Sequence, residues 1–255
     1  MINKYDYDNR IPDCENTKKE LSEFKPLSEE LLIQIKQYYR IGLTYSSNAL
    51  EGNTLTESET KVVLEDGVTI GGKSLREHQE ALGHSDAFDF LYDIAKGKTI
   101  NEQDVNQLHH LFYHRIDEAN AGAYRKQNVV ISGTTYTPPK YNEIPSQMEA
   151  LYDSISGLQK MLHPIEFAAK LHLEFVRIHP YIDGNGRTAR LLMNLAFMQN
   201  NYSITIIPPI LRSKYIEFIR LAQTGDKDER HFINFISAMV YESQNDLIRL
   251  YKSVT

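Results

Sequence analysis

The sequence predicts an all-α fold that carries one short β-hairpin, and two features support this. Apolar residues recur at three- and four-residue steps, as in Leu31, Ile35 and Tyr39, which is typical of amphipathic helices. Residues 129–137 differ, since β-branched Val129 to Ile131 lead into a Ser-Gly-Thr turn and a second Thr-Tyr-Thr run. We therefore expect a helical domain with a hairpin at 129–137.

Helical patterns cover most of the other segments. They span residues 27–39, 46–50, 56 onward, 74–96, 99–115, 144 onward, 163–178, 191–199, 212–222 and 231–251. Gly42 is expected to loosen the chain between the first two segments, and Gly52 with Asn53 suits a helix stop because both tolerate left-handed backbone. Thr56 and Glu59 have the spacing of a capping box. Residues 1–25 are polar and expected to be loose.

Composition limits the class of protein. The 255 residues carry a formal net charge of −6, which argues against a nucleic-acid partner because phosphate backbones attract basic proteins. Cys14, the single cysteine, cannot form an internal disulfide. The N-terminal residues lack a signal-type apolar core, and no stretch reaches the ~18 apolar residues of a membrane span. We expect a cytoplasmic protein without a membrane partner.

The chemistry is concentrated between His179 and Arg190, where the sequence reads HPYIDGNGRTAR. The turn Gly184 to Gly186 immediately precedes an apolar helical run, so its amides and the helix N-terminus together predict an anion site. Arg187 and Arg190 are three residues apart on one helix face, and two guanidiniums there match a polyphosphate.

Asp183 and His179 complete this set. A carboxylate beside bound phosphates is a typical Mg²⁺ ligand, although Asp183 could instead serve as a helix N-cap. His179 precedes a proline, which disfavours helix, so we place its imidazole on a loop facing the next helix. An imidazole titrates near neutral pH and can remove a proton from a hydroxyl.

These residues resemble the signature of the Fic family, His-Pro-Phe-x-(Asp/Glu)-Gly-Asn-Gly-Arg-x-x-Arg, with Tyr181 in place of the usual phenylalanine. Residues from about 101 to 239 also resemble the core helices of that family. The resemblance implies a Fic-type helical fold and transfer of AMP from ATP to a hydroxyl of a target protein. His179 would be the base and Asp183 the Mg²⁺ ligand. The phosphate-binding set would be Gly184, Asn185, Gly186, Arg187, Thr188 and Arg190.

The resemblance also implies a role for the predicted hairpin. Residues 129–137 would be a flap that pairs with an extended segment of the target by strand addition. Ser132, Gly133 and Thr134 would lie near the nucleotide. Tyr215 and Gln223 would contact its adenine and ribose.

A second family motif lies upstream. Ser47, Glu51 and Gly52 fit the inhibitory pattern (Ser/Thr)-x-x-x-Glu-(Gly/Asn), whose glutamate would reach Arg190 and block the γ-phosphate position; the alternative is an ordinary helix end. The expected organisation is an N-terminal segment with this inhibitory helix (1–55), a helical extension (56–100) and a Fic core (101–255).

The sequence leaves three functions open. The first is an autoinhibited protein adenylyltransferase that modifies a Ser, Thr or Tyr hydroxyl, including its own. The second is a phosphodiesterase that uses Glu51 to remove AMP from a modified protein. The third is a nucleotide-sensing interaction protein with little turnover, which would not need His179 as a base. A homodimer is possible.

Overall fold

The computed structural model describes residues 7–24, 26–97 and 99–254. Within these ranges the chain forms ten α-helices and no strand, which confirms the all-α prediction. The helices are α1 (Ile11–Glu23), α2 (Glu29–Ala49), α3 (Glu57–Glu65), α4 (Leu75–Ile94), α5 (Glu102–Tyr113), α6 (Ile144–Met161), α7 (Pro164–Ile178), α8 (Asn185–Gln199), α9 (Arg212–Gln223) and α10 (Arg230–Val254). Single 3-10 turns, Tyr141–Glu143 and Pro209–Leu211, precede α6 and α9.

Helices α7 and α8 pack against each other at the centre of the molecule. Every residue of α8 from Arg187 to Phe197 is buried, so this helix is enclosed on all sides rather than amphipathic. The other helices except α3 contribute to one apolar core with this pair, whereas Val63 of α3 lies in a small second cluster with Leu55 and Ala81. The loop between α7 and α8, residues 179–184, is therefore held at both ends by two largely buried helices.

The N-terminal region differs from the expectation of a loose segment. Helix α1 packs on α10 through Cys14, Thr17 and Leu21, which lie on one helix face and are buried. The Thr17 hydroxyl donates to Gln244 at 2.5 Å, which fixes the contact. The prediction was wrong for α1 because three buried positions among many polar ones form too weak a stripe to read. Residues 1–6 and 25 lie outside the described part.

Helix α2 is continuous, contrary to the expected break at Gly42. The glycine serves packing instead, since a Cβ there would lie 3.0 Å from Cδ1 of Ile206. The predicted helix stop is confirmed by Gly52, which has φ of 99°. The predicted capping box of Thr56 and Glu59 is also confirmed at the start of α3.

The segment 129–137 does not form the expected hairpin. It is extended, turns at Ser132 and Gly133 (φ 80° at Gly133) and makes no strand pair within the described residues. Val130 is 92% exposed. A two-stranded hairpin is marginal in water without a surface to lie against, which explains why β-branched residues alone did not produce one.

The expected boundaries at residues 55 and 100 stay a prediction. Leu43, Phe88 and Phe197, one from each expected unit, belong to the same apolar core. Throughout the described ranges, each helix is either too short or too polar to cross a bilayer.

Candidate active site

The motif loop reverses the chain between α7 and α8 by means of two left-handed residues. His179 ends α7 with φ 54° and ψ 58°, and its amide donates to the Phe175 carbonyl at 2.9 Å. Gly184 precedes α8 with φ 76°. A Cβ at Gly184 would lie 2.8 Å from the Phe112 ring, so both the backbone conformation and the available space require glycine here.

Asn185 and Thr188 shape this turn rather than open onto a ligand. The Asn185 side chain accepts from the amide of Tyr181 and donates to the carbonyl of Tyr181, both at 2.9 Å. The buried Thr188 hydroxyl donates to the Gly184 carbonyl at 3.0 Å. Phosphate contacts at these positions would therefore come from first-turn amides of α8, which have no partner within the helix.

Tyr181 packs beneath the loop, and the residue that supports it was missed from the sequence. Its buried ring stacks on His109 with centroids 3.7 Å apart, and its hydroxyl donates to Asn106 at 2.6 Å. His109 Nδ1 accepts from the Gly122 amide, so Nε2 carries the proton and donates to the Asp183 carbonyl at 3.1 Å. Burial lowers the pKa of His109 to about 4, which keeps this neutral tautomer.

The second motif arginine, Arg190, is 2% exposed and bound on all sides. Its guanidinium donates to the Ser47 hydroxyl at 3.0 Å, to the Ser47 carbonyl at 2.8 Å and to Glu51 at 2.7 Å. It also donates to the Tyr215 hydroxyl at 3.1 Å. The structure thus brings together Ser47, Glu51 and Arg190, as the inhibitory motif predicts.

The Glu51 carboxylate lies over Gly186, where a Cβ would overlap its Oε1 atom. Burial alone would raise the pKa of Glu51, but the charges of Arg190 and Arg187 and the hydrogen bond from Arg190 hold it below its usual value. An ionised carboxylate therefore occupies the mouth of α8, where the sequence predicts an anion site.

Arg187, which is 3% exposed, belongs to a closed ring of alternating charges. Its Nη1 lies 3.0 Å from Glu80 and its Nη2 3.5 Å from Asp183. Arg76 closes the ring, 3.2 Å from Glu80 and 2.6 Å from Asp183. The Arg187 guanidinium also stacks over Phe112 at 4.3 Å.

Glu80 and Arg76 were not found from the sequence, although one signal was present. Glu80 shares the buried face of α4 with His84, Ala87 and Leu91, at steps of four, three and four residues. An acidic residue on such a face needs a cationic partner. The sequence shows that a partner must exist, but not that it is Arg187.

His179 is mostly enclosed, and its pKa is lowered to about 4. Burial is the main cause, and the charge of Arg125 adds to it, while the carboxylates of Glu51 and Asp183 oppose it. The imidazole is therefore neutral at physiological pH. These carboxylates also act on one another, so the base, both acids and both motif arginines share one electrostatic environment.

Asp183 has the properties of a ligand for a cation that also binds the phosphates of a nucleotide. Burial would raise its pKa, but Arg187, the Gly184 amide and Arg76 hold it below the usual value, so the carboxylate is ionised. Its side chain is 39% exposed. In the described part of the chain, no group of three or more His, Cys, Asp or Glu could enclose a metal ion. One carboxylate with phosphate oxygens is a donor set that Mg²⁺ accepts.

The remaining predicted residues lie away from this cluster or have other contacts. Ser132 and Gly133 are exposed on the extended segment, where the Thr134 hydroxyl accepts from the Tyr136 amide at 3.1 Å. Tyr215 is buried between Arg190 and His172 and its hydroxyl contacts both, while its contact with adenine stays a prediction. Gln223 is the last residue of α9, and its contact with ribose stays a prediction.

Comparison with known proteins agrees with this geometry. Residues 99–197 match the Fic/DOC family. Over 196 residues the chain is 39% identical to the protein adenylyltransferase Fic of Nematostella vectensis, an alignment that covers 76% of this chain and 45% of that protein. The chain spans less than half the length of the curated relatives it matches.

Two solved structures share the whole architecture. Fic-1 of C. elegans superposes with a TM-score of 0.85 at 28% identity, covering 96% of this chain and 72% of that one. A Fic domain containing signaling protein from Bacteroides thetaiotaomicron superposes with a TM-score of 0.86 at 27% identity, covering 96% and 97%. With the motif loop, the buried arginines that follow it and the shared architecture on one fold, residues 99–197 of this chain form a Fic/DOC family domain.

Proposed function

We propose that this protein is an adenylyltransferase that moves AMP from ATP to a Ser, Thr or Tyr hydroxyl of a target protein and is inhibited by its own Glu51. The observation that carries the proposal is the convergence of a neutral imidazole, an ionised aspartate and two arginines at the mouth of α8. The curated relatives named protein adenylyltransferase support the same chemistry.

In the proposed reaction His179 takes the proton from the target hydroxyl as its oxygen attacks the α-phosphorus of ATP. A new phosphodiester bond to the target forms, the bond between the α- and β-phosphates breaks, and pyrophosphate leaves. The pKa of about 4 keeps the imidazole able to accept that proton. The α8 amides and the two arginines would stabilise the charge that develops on the phosphates.

Asp183 would hold Mg²⁺ together with phosphate oxygens of ATP. The ion, when bound, supplies Lewis-acid stabilisation of the phosphate charge. The carboxylate is ionised and partly exposed, as such a ligand must be, but its Oδ2 now accepts from Arg76. Mg²⁺ binding would require Arg76, which is 53% exposed, to move aside.

Inhibition by Glu51 follows from its position. The guanidinium of Arg190 is held by Ser47 of α2, by Glu51 just after that helix and by the Tyr215 hydroxyl, and the Glu51 carboxylate lies where a phosphate would approach Gly186. Two negative groups repel each other, so an ATP molecule whose γ-phosphate approached Gly186 would compete directly with the Glu51 carboxylate. Relief requires the end of α2 to shift or Glu51 to find another partner.

Residues 129–137 would act as the flap. Their backbone is extended and makes no strand pair within the described residues, and Val130 is almost fully exposed. An extended target segment could add to such a strand by main-chain hydrogen bonds. The target protein, the possible homodimer and the cytoplasmic location remain predictions.

The test is incubation of the wild type and the Glu51→Gly variant with Mg²⁺ and each nucleoside triphosphate. Intact-mass spectrometry would follow AMP added to the chain itself, and α-labelled ATP would follow transfer to proteins of a cell lysate. We expect transfer from ATP that is stronger in the variant. No transfer in either protein, together with no ATP binding by calorimetry, would reject the proposal.

The second candidate, removal of AMP, is favoured by one observation. Glu51 is ionised and 35% exposed at the pocket mouth, so its carboxylate could orient a water molecule. A target that carries AMP would be incubated with the wild type and with Glu51→Gly. AMP release that depends on Glu51 would identify the hydrolase. Tight ATP binding without transfer or release in either protein would favour the nucleotide sensor.

A further inference from the structure

Arg125 is a buried cation, and among the described residues no carboxylate forms an ion pair with it. The residue is 2% exposed, and burial lowers the pKa of its guanidinium. Its side chain donates to three main-chain carbonyls: His179 at 2.9 Å, Gln127 at 2.9 Å and Pro139 at 2.6 Å. Burying a guanidinium among neutral acceptors is costly, so this arrangement needs a reason beyond stability.

The three carbonyls belong to two parts of the proposed site, the flap and the backbone of His179. Gln127 and Pro139 flank residues 128–138, so Arg125 closes the base of the flap. The third carbonyl belongs to His179, and the Arg125 amide donates to the next carbonyl, that of Pro180, at 2.9 Å. One residue thus holds the flap and the backbone of the proposed base.

The conformation of His179 makes this support important. A left-handed backbone costs a non-glycine residue roughly 1–2 kcal/mol, so it persists only where neighbours fix it. The amide of His179 is fixed by Phe175 within α7, whereas its carbonyl is fixed by Arg125. Without that contact the peptide after His179 can rotate, and the imidazole moves with it.

We propose that Arg125 is a positioning residue for AMP transfer, which sets the flap and the His179 backbone in one geometry so that a docked hydroxyl meets the imidazole. The proposal rests on the proposed function. A lysine cannot replace this arginine, because one ammonium group cannot reproduce a planar fork whose nitrogens reach separate carbonyls.

The test compares Arg125→Gln and Arg125→Lys in the Glu51→Gly background. Misplacing a catalytic group by about 1 Å costs on the order of 100-fold in rate. We expect AMP transfer to fall by at least tenfold in both variants, while the affinity for a non-hydrolysable ATP analogue changes less than about twofold. Hydrogen exchange should accelerate both at residues 128–138 and at Tyr181, whose amide follows the supported carbonyls.

Two controls separate positioning from general loss of structure. Lys126→Gln removes a charge from the exposed neighbouring residue and should leave exchange at both places unchanged. Tyr136→Phe removes the hydroxyl that donates to the Arg177 carbonyl at 2.9 Å, so it should accelerate exchange in the flap but not at Tyr181.

The pKa of the His179 imidazole, followed by NMR, should rise in Arg125→Gln because a nearby positive charge is gone.

Undiminished transfer with unchanged exchange at Tyr181 in Arg125→Gln would overturn the proposal. If that variant does not fold, the same result in Arg125→Lys overturns it. Faster exchange in the flap alone would overturn the link to His179. Absence of transfer and of ATP-analogue binding in Glu51→Gly itself would instead reject the proposed function.

Discussion

The two sides of the motif loop differ in whether their polar groups have partners within the described protein. On the side of α8, the charged groups are satisfied by the protein itself: Arg190 by Ser47 and Glu51, Arg187 by Glu80. On the other side, residues 129–137 are extended, with their backbone in no strand pair of the described fold. Under the proposed function, the α8 side would be the nucleotide side, closed by internal ion pairs, and the side of residues 129–137 would be the target side, left open for a partner.

The two sides also differ in how they are held. A buried guanidinium that loses a carboxylate partner destabilises the fold, so opening of the nucleotide side is favoured when another anion replaces Glu51 or Glu80. The flap is fixed mainly at its base by Arg125 and through the Tyr136 hydroxyl. The proposed substrate ATP is an anion that could make this exchange, whereas docking of a target on the proposed flap would need main-chain hydrogen bonds.

The largest effect is expected where the two sides meet. Replacing His179 with Ala in the Glu51→Gly background should reduce AMP transfer by about 10²–10⁴-fold, because a general base contributes that much. ATP binding should be retained, since His179 does not belong to the proposed phosphate-binding set. Labelled AMP incorporation and calorimetry provide the two measurements. Transfer at the parent rate would remove the imidazole from the mechanism.

Opening the nucleotide side alone is the second prediction. Glu51→Gly should raise transfer by at least about tenfold, because a freed guanidinium can then hold the outer phosphate. It should also lower the free energy of unfolding by about 1–2 kcal/mol without nucleotide, because Arg190 loses a partner that is one-third exposed.

Glu65→Gly, at an acidic residue elsewhere on the surface, is the matched control for that variant. Denaturant unfolding should show that Mg²⁺ and ATP restore the lost stability, since a ligand that binds only the folded state stabilises it. An equal or lower transfer rate in Glu51→Gly would show that the ion pair does not inhibit.

The pH dependence tests whether the base is as enclosed as the structure indicates. A base is active when deprotonated, so transfer should fall only as pH drops through about 4, the pKa of His179, and not near the ordinary histidine value of 6.5. The rate attributable to this group should therefore be flat from pH 5 to 8. An acid limb with an apparent pKa near 6.5 would contradict the enclosed geometry.

The smallest effect concerns Arg76. An exposed ion pair is worth up to roughly 1 kcal/mol, so Arg76→Gln should strengthen Mn²⁺ binding about two- to fivefold, since the guanidinium no longer competes for Asp183. Electron paramagnetic resonance with a non-hydrolysable ATP analogue would measure it. Arg115→Gln, which removes a surface partner of Asp86, is the control. Unchanged affinity would show that Arg76 and the metal do not compete.

Local features were predictable because their causes are local. The capping box of Thr56, the stop at Gly52 and the turn before α8 each depend on residues within a few positions, and all are present. The hairpin failed for the opposite reason, since strands depend on a partner that the neighbouring sequence does not provide. Helix α1 was missed because α10, not its own propensity, stabilises it.

The sequence by itself determined a helical protein in which a histidine, an acidic residue and an anion turn lie close together in the chain, followed by two arginines on one helix face. It also indicated Glu51, but only through resemblance to a family. Tertiary structure alone decided that Glu80 neutralises Arg187, that Arg76 contacts Asp183 and that Arg125 supports His179. The physical reason is distance along the chain: Arg76 and Asp183 are 107 residues apart, and charges so separated meet only because α4 packs on α8.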